Sequence, residues 1–280
     1  MPEVDKVDFI SGATKLFGIV GHPIVQVRSP EMITAEFHRR RQDALMLPIH
    51  VLPEDFDAVL PNLMKVENLG GLVFTIPFKS QALRLADEVG PHARVAGAIN
   101  ALARGADGRW RGEVFDGIGC VEAFRRRGIS FAGQHVMLIG AGGAGTAMGV
   151  AIAFGGPASI RLFDIDRTRD AALAEKIRRI DPKIGVTVGE PLVEGRDILL
   201  NATPVGMLDD ARLPLRLDAL PSRLVVFDAI VKPERTPLLV LAERCGCQMI
   251  YGTEMMRGQI SQIATHLGVV EKRSEDECRT

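Results

Sequence analysis

A short apolar run, V-M-L-I over 136–139, passes straight into Gly140-Ala141-Gly142-Gly143-Ala144-Gly145 and then into a stretch of small apolar residues. No other feature limits the fold of this chain so strongly. The first glycine of such a loop makes a tight turn after a strand. The second lets backbone N–H groups approach a ligand, and the third lets a helix pack closely on the strand. A helix starting there presents free N–H groups and the positive end of its dipole, which suit a phosphate. A second apolar run over 159–163 ends in Asp164, nineteen residues beyond Gly145, where a carboxylate would meet the ribose hydroxyls of a dinucleotide. Strand, glycine loop, helix, strand and acid in that order predict a βαβ dinucleotide-binding unit. The bland alternative is a glycine-rich turn that binds nothing.

At 280 residues the chain has room for two modest domains. A hydrophobic share of 46% with 25% charged residues excludes a disordered chain, and a net charge of -1 gives no attraction to polyanions. Nucleic acid and anionic membrane surfaces are therefore not expected partners. No apolar run approaches the ~20 residues of a membrane span, and the first residues lack a basic-then-apolar leader. Cys120, Cys245, Cys247 and Cys278 show neither zinc-site nor disulfide-framework spacing. Reduced thiols in a cytoplasmic protein, either monomer or homodimer, are expected.

Alternating apolar runs and helix-like segments predict α/β layers on largely parallel sheets. The first series has strands at 15–21, 45–51, 71–75 and 98–102, with helices near 30–42, 54–66 and 80–89. The second has strands at 135–140, 159–164, 184–188, 197–201, 224–228 and 248–250, the size of a doubly wound dinucleotide domain. The predicted division is an α/β substrate domain over 1–116, a Rossmann-type domain over 117–252, and a helix within 253–280 returning to the first. The charged tail after Val270 is expected to fray.

A first domain facing a nicotinamide across a cleft should supply proton-transfer groups, and Lys79 and Asp116 are the candidates. Lys79 follows F-T-I-P-F at a strand end, and Asp116 lies at the domain join. A lysine beside a carboxylate can protonate a carbonyl oxygen as hydride arrives, or take a proton from an alcohol as hydride leaves. Read one at a time, the lysine is equally a solvated charge and the aspartate a turn former. Asn201, Ala202 and Thr203 open N-A-T-P-V-G-M after the fourth strand of the second series, where a loop would pass the nicotinamide, unless it is an ordinary strand-ending turn. Asn100 ends an apolar run, as ligand contact or as a structural bridge. The six histidines form no pair with metal-ligand spacing, and no metal is implied.

Taken together these motifs resemble the shikimate and quinate dehydrogenase family across essentially the whole chain. G-H-P-I-V-Q-V-R-S-P over 21–30, V-F-T-I-P-F-K over 73–79, A-G-A-I-N over 96–100 and V-F-D-G over 114–117 resemble its successive motifs. The glycine loop, N-A-T-P-V-G-M, Asp228 with T-P-L over 236–238, and Gly252-x-x-Met255-x-x-x-Gln259 follow in order. The resemblance implies that Lys79 and Asp116 are the catalytic pair, that Thr75, Asn100 and Gln259 hold ring hydroxyls, and that Gly252 lies among the cofactor residues.

The departures cluster. Val27 and Val231 stand where the family carries a serine and a tyrosine that grip the substrate carboxylate, leaving Ser29 as the matched survivor. Each lost hydrogen bond to a charge costs about 1.5–3 kcal/mol, so two would weaken shikimate binding by two or more orders of magnitude. Gln26, Val73, Val114 and Phe115 also replace polar family residues, and Arg28 is a possible substitute contact for the carboxylate. Asp164-Ile165-Asp166 occupies the position of the Asn-Arg-Thr found in NADP-using members, which predicts NAD in preference to NADP because carboxylates repel a 2′-phosphate, although Arg167 and Arg169 lie nearby. The expected activity is hydride transfer between nicotinamide and a secondary alcohol or ketone of a shikimate- or quinate-like ring. The alternatives are another cyclic polyol with the same dyad, or a nucleotide-binding protein without dehydrogenase activity.

Overall fold

The computed structural model describes residues 10–25, 27–216 and 218–269. The expectations for Gln26, Cys278 and the tail after Val270 lie outside them. Contacts divide the chain into one unit of 1–114 with 260–280 and another of 115–259. These joins fall two residues before, and seven residues after, those expected.

The first unit carries β1 (Lys15–Gly21), β2 (Ala44–His50), β3 (Leu69–Phe74), β4 (Glu88–Val89), β5 (Ala101–Arg104) and β6 (Trp110–Glu113), with α1 (Ser29–Arg39), α2 (Phe56–Leu63) and α3 (Pro91–Ala96). Its sheet runs β2-β1-β3-β5-β6-β4. β1 is parallel to both β2 and β3, whereas β5 is antiparallel to β3 and to β6. With β4 parallel to β6, the sheet is parallel-rich, as expected, and antiparallel only where β5 meets β3 and β6. The central β1 buries Phe17, Ile19 and Val20, and Phe37 of α1 packs on Phe17 with ring centroids 4.8 Å apart. Phe56, Phe74 and Phe78 fill the core beside β3.

Two expectations fail in this unit. Residues 80–89 are not an α-helix: a 3₁₀ turn over Gln81–Leu85 gives way to β4. The Asp87 N–H donates to the Trp110 carbonyl at 2.8 Å and the Gly90 N–H to the Gly112 carbonyl at 2.8 Å, so this backbone pairs with β6 instead of with itself. The strand expected at 98–102 begins only at Ala101, and ahead of it the Ile99 N–H turns to the Lys79 carbonyl.

The second unit carries β7 (His135–Ile139), β8 (Ser159–Phe163), β9 (Gly185–Val188), β10 (Ile198–Asn201), β11 (Val225–Asp228) and β12 (Gln248–Tyr251). α4 (Asp116–Arg126), α5 (Gly143–Phe154), α6 (Arg167–Ile180) and α7 (Pro237–Arg244) belong to it, and α8 (Gly252–His266) crosses the 259/260 division. All five strand pairings are parallel and the order is β12-β11-β10-β7-β8-β9. The sheet is doubly wound, and its order reverses between β7 and β10, the switch point at which ligands of such sheets bind. Both faces of the central strands are covered, so Val136, Met137, Leu138, Leu199 and Leu200 are wholly buried.

Candidate active site

The glycine loop leaves β7 at the switch point. Gly140 has φ +94°, in the left-handed region, and a side chain there would press on Ala202 and Thr203. A Cβ on Gly145 would run into the Gly140 carbonyl, so this glycine sets the close approach of α5 to the turn. Gly142 and Gly143 differ: a Cβ on either meets nothing within 4 Å. Gly142 is the N-cap of α5, with no side-chain cap and no acidic residue in the first turn. The N–H groups of that turn therefore face an open cradle on a helix N-terminus, which fits the pyrophosphate of a dinucleotide.

Asp164 is buried at the end of β8, and one carboxylate oxygen accepts the Ala141 N–H at 2.7 Å while the other accepts the Asp166 N–H at 2.9 Å. It therefore fastens the glycine loop to the β8 turn. Ile165 is 93% exposed. Asp166 caps α6 through the Thr168 N–H and hydroxyl, and the Thr168 hydroxyl is the main influence holding its carboxyl below the usual range. Arg167 pairs with Asp170 and Glu190, and Arg169 with Asp166.

Asn201 ends β10 fully buried, and its side chain is used inside the protein. Its carbonyl oxygen accepts the Thr203 N–H and hydroxyl, while its amide donates to the Val205 carbonyl and to Asp228. Asp228 also accepts from the Ile230 N–H and the Thr236 hydroxyl, and Thr236 in turn caps α7. Burial pushes the Asp228 carboxyl up to about 6 against these donors. Asn201 thus shapes the 201–207 loop and points into the Asp228 network, while Ala202 and Thr203 line the glycine turn. Val231 is half-buried on the next loop, where the Lys232 carbonyl accepts the Leu208 N–H.

Asp116 opens α4, 8% exposed, and accepts a hydrogen bond from the Gln259 side-chain amide at 2.6 Å. Small residues allow this. A Cβ on Gly117 would strike the Ala147 carbonyl of α5, and one on Gly119 would lie 2.7 Å from the Met255 carbonyl oxygen and 2.9 Å from Gln259 Cβ of α8. Gly252 packs under the Ala229 and Ile230 carbonyls, which fixes the start of the helix that carries Gln259.

In the first unit, Thr75, Lys79 and Asn100 are drawn together by the backbone. The Phe74 N–H donates to the Asn100 carbonyl at 2.8 Å, the Ile99 N–H to the Lys79 carbonyl at 2.9 Å, and the Thr75 N–H to the Val20 carbonyl at 3.0 Å. Thr75 and Lys79 are half-buried and Asn100 is buried. Ser29 begins α1, with Val27 two residues ahead, both half-buried. Arg28 is exposed and donates to Glu31 at 2.6 Å.

One pairing is invisible to spacing along the chain. His22 Nδ1 and His50 Nε2 lie 2.9 Å apart, with the rings stacked at 5.0 Å and 19°. The parallel register that places Gly21 opposite His50 creates this neighbourhood. An imidazole at the end of each of two adjoining strands was the available signal.

The model of the shikimate dehydrogenase substrate binding domain matches residues 19–102. The shikimate dehydrogenase (NADP(+)) of Alkaliphilus oremlandii is 32% identical over 259 residues, spanning 89% of this chain and 90% of that protein. Shikimate 5-dehydrogenase from Listeria monocytogenes, solved in complex with shikimate and NAD, is similar with a TM-score of 0.85 and 29% identity, covering 92% of this chain and 93% of that one. The ligand-free 5-ketofructose reductase of Gluconobacter sp. strain CHM43 gives 0.83 and 26%, covering 91% and 92%. A matched substrate-domain model, identity maintained over nearly the full length and a doubly wound second sheet with an open glycine cradle establish that the chain belongs to the shikimate dehydrogenase family.

Proposed function

We propose that the protein is an oxidoreductase that uses NAD in preference to NADP and acts on a secondary alcohol or ketone of a shikimate- or quinate-like ring. The observation that carries this reading is the 2.6 Å hydrogen bond from Gln259 to Asp116, held by a crossing of helices that only glycine permits. It presents a buried carboxylate and a substrate-class amide as one fixed group. A dinucleotide held on the glycine loop would supply or accept the hydride. Lys79 gives a proton to the carbonyl oxygen in reduction and withdraws one from the alcohol in oxidation, with Asp116 as the second member of the acid–base pair. Thr75, Asn100 and Gln259 orient ring hydroxyls, and Ser29 meets the substituent at the far end of the ring. Gly140, Ala141, Gly142, Gly143, Ala144 and Gly145 take the pyrophosphate, and Asp164 and Ile165 border the adenosine ribose.

The cofactor preference departs from the NADP-using relative of Alkaliphilus oremlandii. It is supported by the carboxylates of Asp164 and Asp166 and by Arg167 and Arg169 each being held by acidic partners. A second reading keeps the dyad and exchanges the substrate for an uncharged polyol. Val27 and Val231 favour it, since neither side chain offers a donor to a carboxylate.

Steady-state kinetics of Lys79→Ala and Asp116→Asn test the mechanism. Turnover should fall by roughly 10²–10⁴-fold, the usual contribution of a positioned acid–base group, with NAD affinity unchanged. Near-normal turnover in Lys79→Ala removes that residue from the chemistry. Tight NAD binding without reduction across a broad panel of ring alcohols would make the protein a nucleotide binder only.

A further inference from the structure

The outward nitrogens of the His22–His50 pair carry a specificity that the rest of the substrate domain does not explain. Two neutral imidazoles joined Nδ1 to Nε2 at 2.9 Å share one proton, so one ring donates and the other accepts. The remaining nitrogens, His22 Nε2 and His50 Nδ1, are then opposite in kind: one bears a hydrogen and the other a lone pair. Such a pair complements two neighbouring hydroxyls, each of which can donate or accept. A carboxylate only accepts, and would leave one of the two nitrogens facing it without a hydrogen bond.

The pair stands where substrate is expected. Both rings follow the carboxyl ends of parallel strands, the edge on which ligands of such sheets sit. The His22 N–H donates to the Ile76 carbonyl at 3.0 Å, and a Cβ on the adjoining Gly21 would collide with the Thr75 side chain. The imidazoles therefore belong to the same edge as Thr75 and the turn leading to Lys79. His50 is exposed and His22 half-buried, so both rings are within reach of a ligand. We propose that His22 and His50 form a specificity-determining pair that holds two adjacent hydroxyls of an uncharged polyol, replacing the carboxylate grip lost at Val27 and Val231. This rests on the polyol reading given above.

The test compares the full-length protein with His22→Phe, His50→Phe and the double variant. NAD-linked oxidation of inositol, sorbitol and fructose is measured beside that of shikimate and quinate. The expected result is a wild-type preference for the neutral compounds. KM for the preferred polyol should rise roughly tenfold or more in either single variant, kcat should change far less, and the double variant should be little worse than the singles because the rings act as a unit. An unchanged KM, a loss confined to kcat, or wild-type preference for the carboxylated rings would overturn the proposal while leaving the oxidoreductase reading intact. Absence of turnover with every compound would instead count against that reading. The pair is then judged by NMR of the imidazole resonances as inositol is titrated in the presence of NAD: shifts at both rings support it, and their absence overturns it.

Discussion

Ile165 lies 93% exposed between Asp164 and Asp166, and the three residues do different work. Asp164 cannot be altered without disturbing the glycine loop, because its two oxygens satisfy the N–H groups of Ala141 and Asp166, and stranding a buried donor costs about 1–3 kcal/mol. Ile165 supports nothing, so it isolates cofactor choice from stability. Ile165→Arg places a guanidinium where a 2′-phosphate would lie, and a bidentate contact to phosphate is among the stronger charge-assisted bonds. Catalytic efficiency with NADP should rise about tenfold or more, with little change for NAD and no change in melting temperature. Kinetics with both cofactors check this, and an unimproved NADP efficiency would remove Ile165 from the cofactor site. The sequence pattern places Asp164 and Ile165 at the end of the second strand of the βαβ unit, but it could not reveal that Asp164 accepts the Ala141 N–H, since that acceptor is decided only when β7 and β8 are paired.

At the scale of elements, the glycines around α5 separate into those that hold the fold and those that leave room. Gly145→Ala drives a methyl into the Gly140 carbonyl and should lower stability by about 1–3 kcal/mol, the usual cost of overpacking. Gly142→Ala meets open space at an ordinary φ of -68° and should leave stability nearly unchanged. Its methyl narrows the cradle, so NAD affinity should fall instead. Paired denaturation curves and NAD titrations distinguish the two, and equal behaviour of the variants would undo the assignment of the cradle. These helices and strands were legible because a strand covered on both faces reads as an unbroken apolar run, as 136–139 and 198–200 do. The elements that were missed lack that signature. β6, W-R-G-E, is short and half polar, yet Asp107-Gly108 ahead of it, with Gly108 at φ +79°, marks the hairpin that joins it to β5. The 80–89 segment has helical composition, and its conversion to β4 depends on partners at 110–112 that no local pattern announces. The His22–His50 pair was hidden for the same reason.

For the whole molecule, the response of stability to pH is a contest between two kinds of carboxylate. Glu36 is held down to about 2 chiefly by the Arg39 hydrogen bond, and Glu122 to about 2 chiefly by Arg125. Such groups stabilise the fold above their unfolded values and lose that contribution as acid protonates them. Asp228 runs the other way. Its folded value of about 6 lies above the ordinary 3.8, so its protonated form is favoured in the fold, and its contribution is full below about pH 4 and lost as pH rises through about 6. The difference of roughly two units corresponds to about 3 kcal/mol across that window. Asp228→Asn removes the titration while keeping an acceptor for the Ile230 N–H and a donor toward Thr236. The stability of wild type relative to Asp228→Asn should therefore decline between pH 4 and pH 6 and stay level above about pH 7, whatever constant offset the substitution brings. Urea denaturation of both proteins at unit pH intervals measures that difference directly. A difference that does not vary with pH would mean that the three donors at Asn201, Ile230 and Thr236 just offset burial, so that Asp228 binds its proton equally well in the folded and unfolded chains.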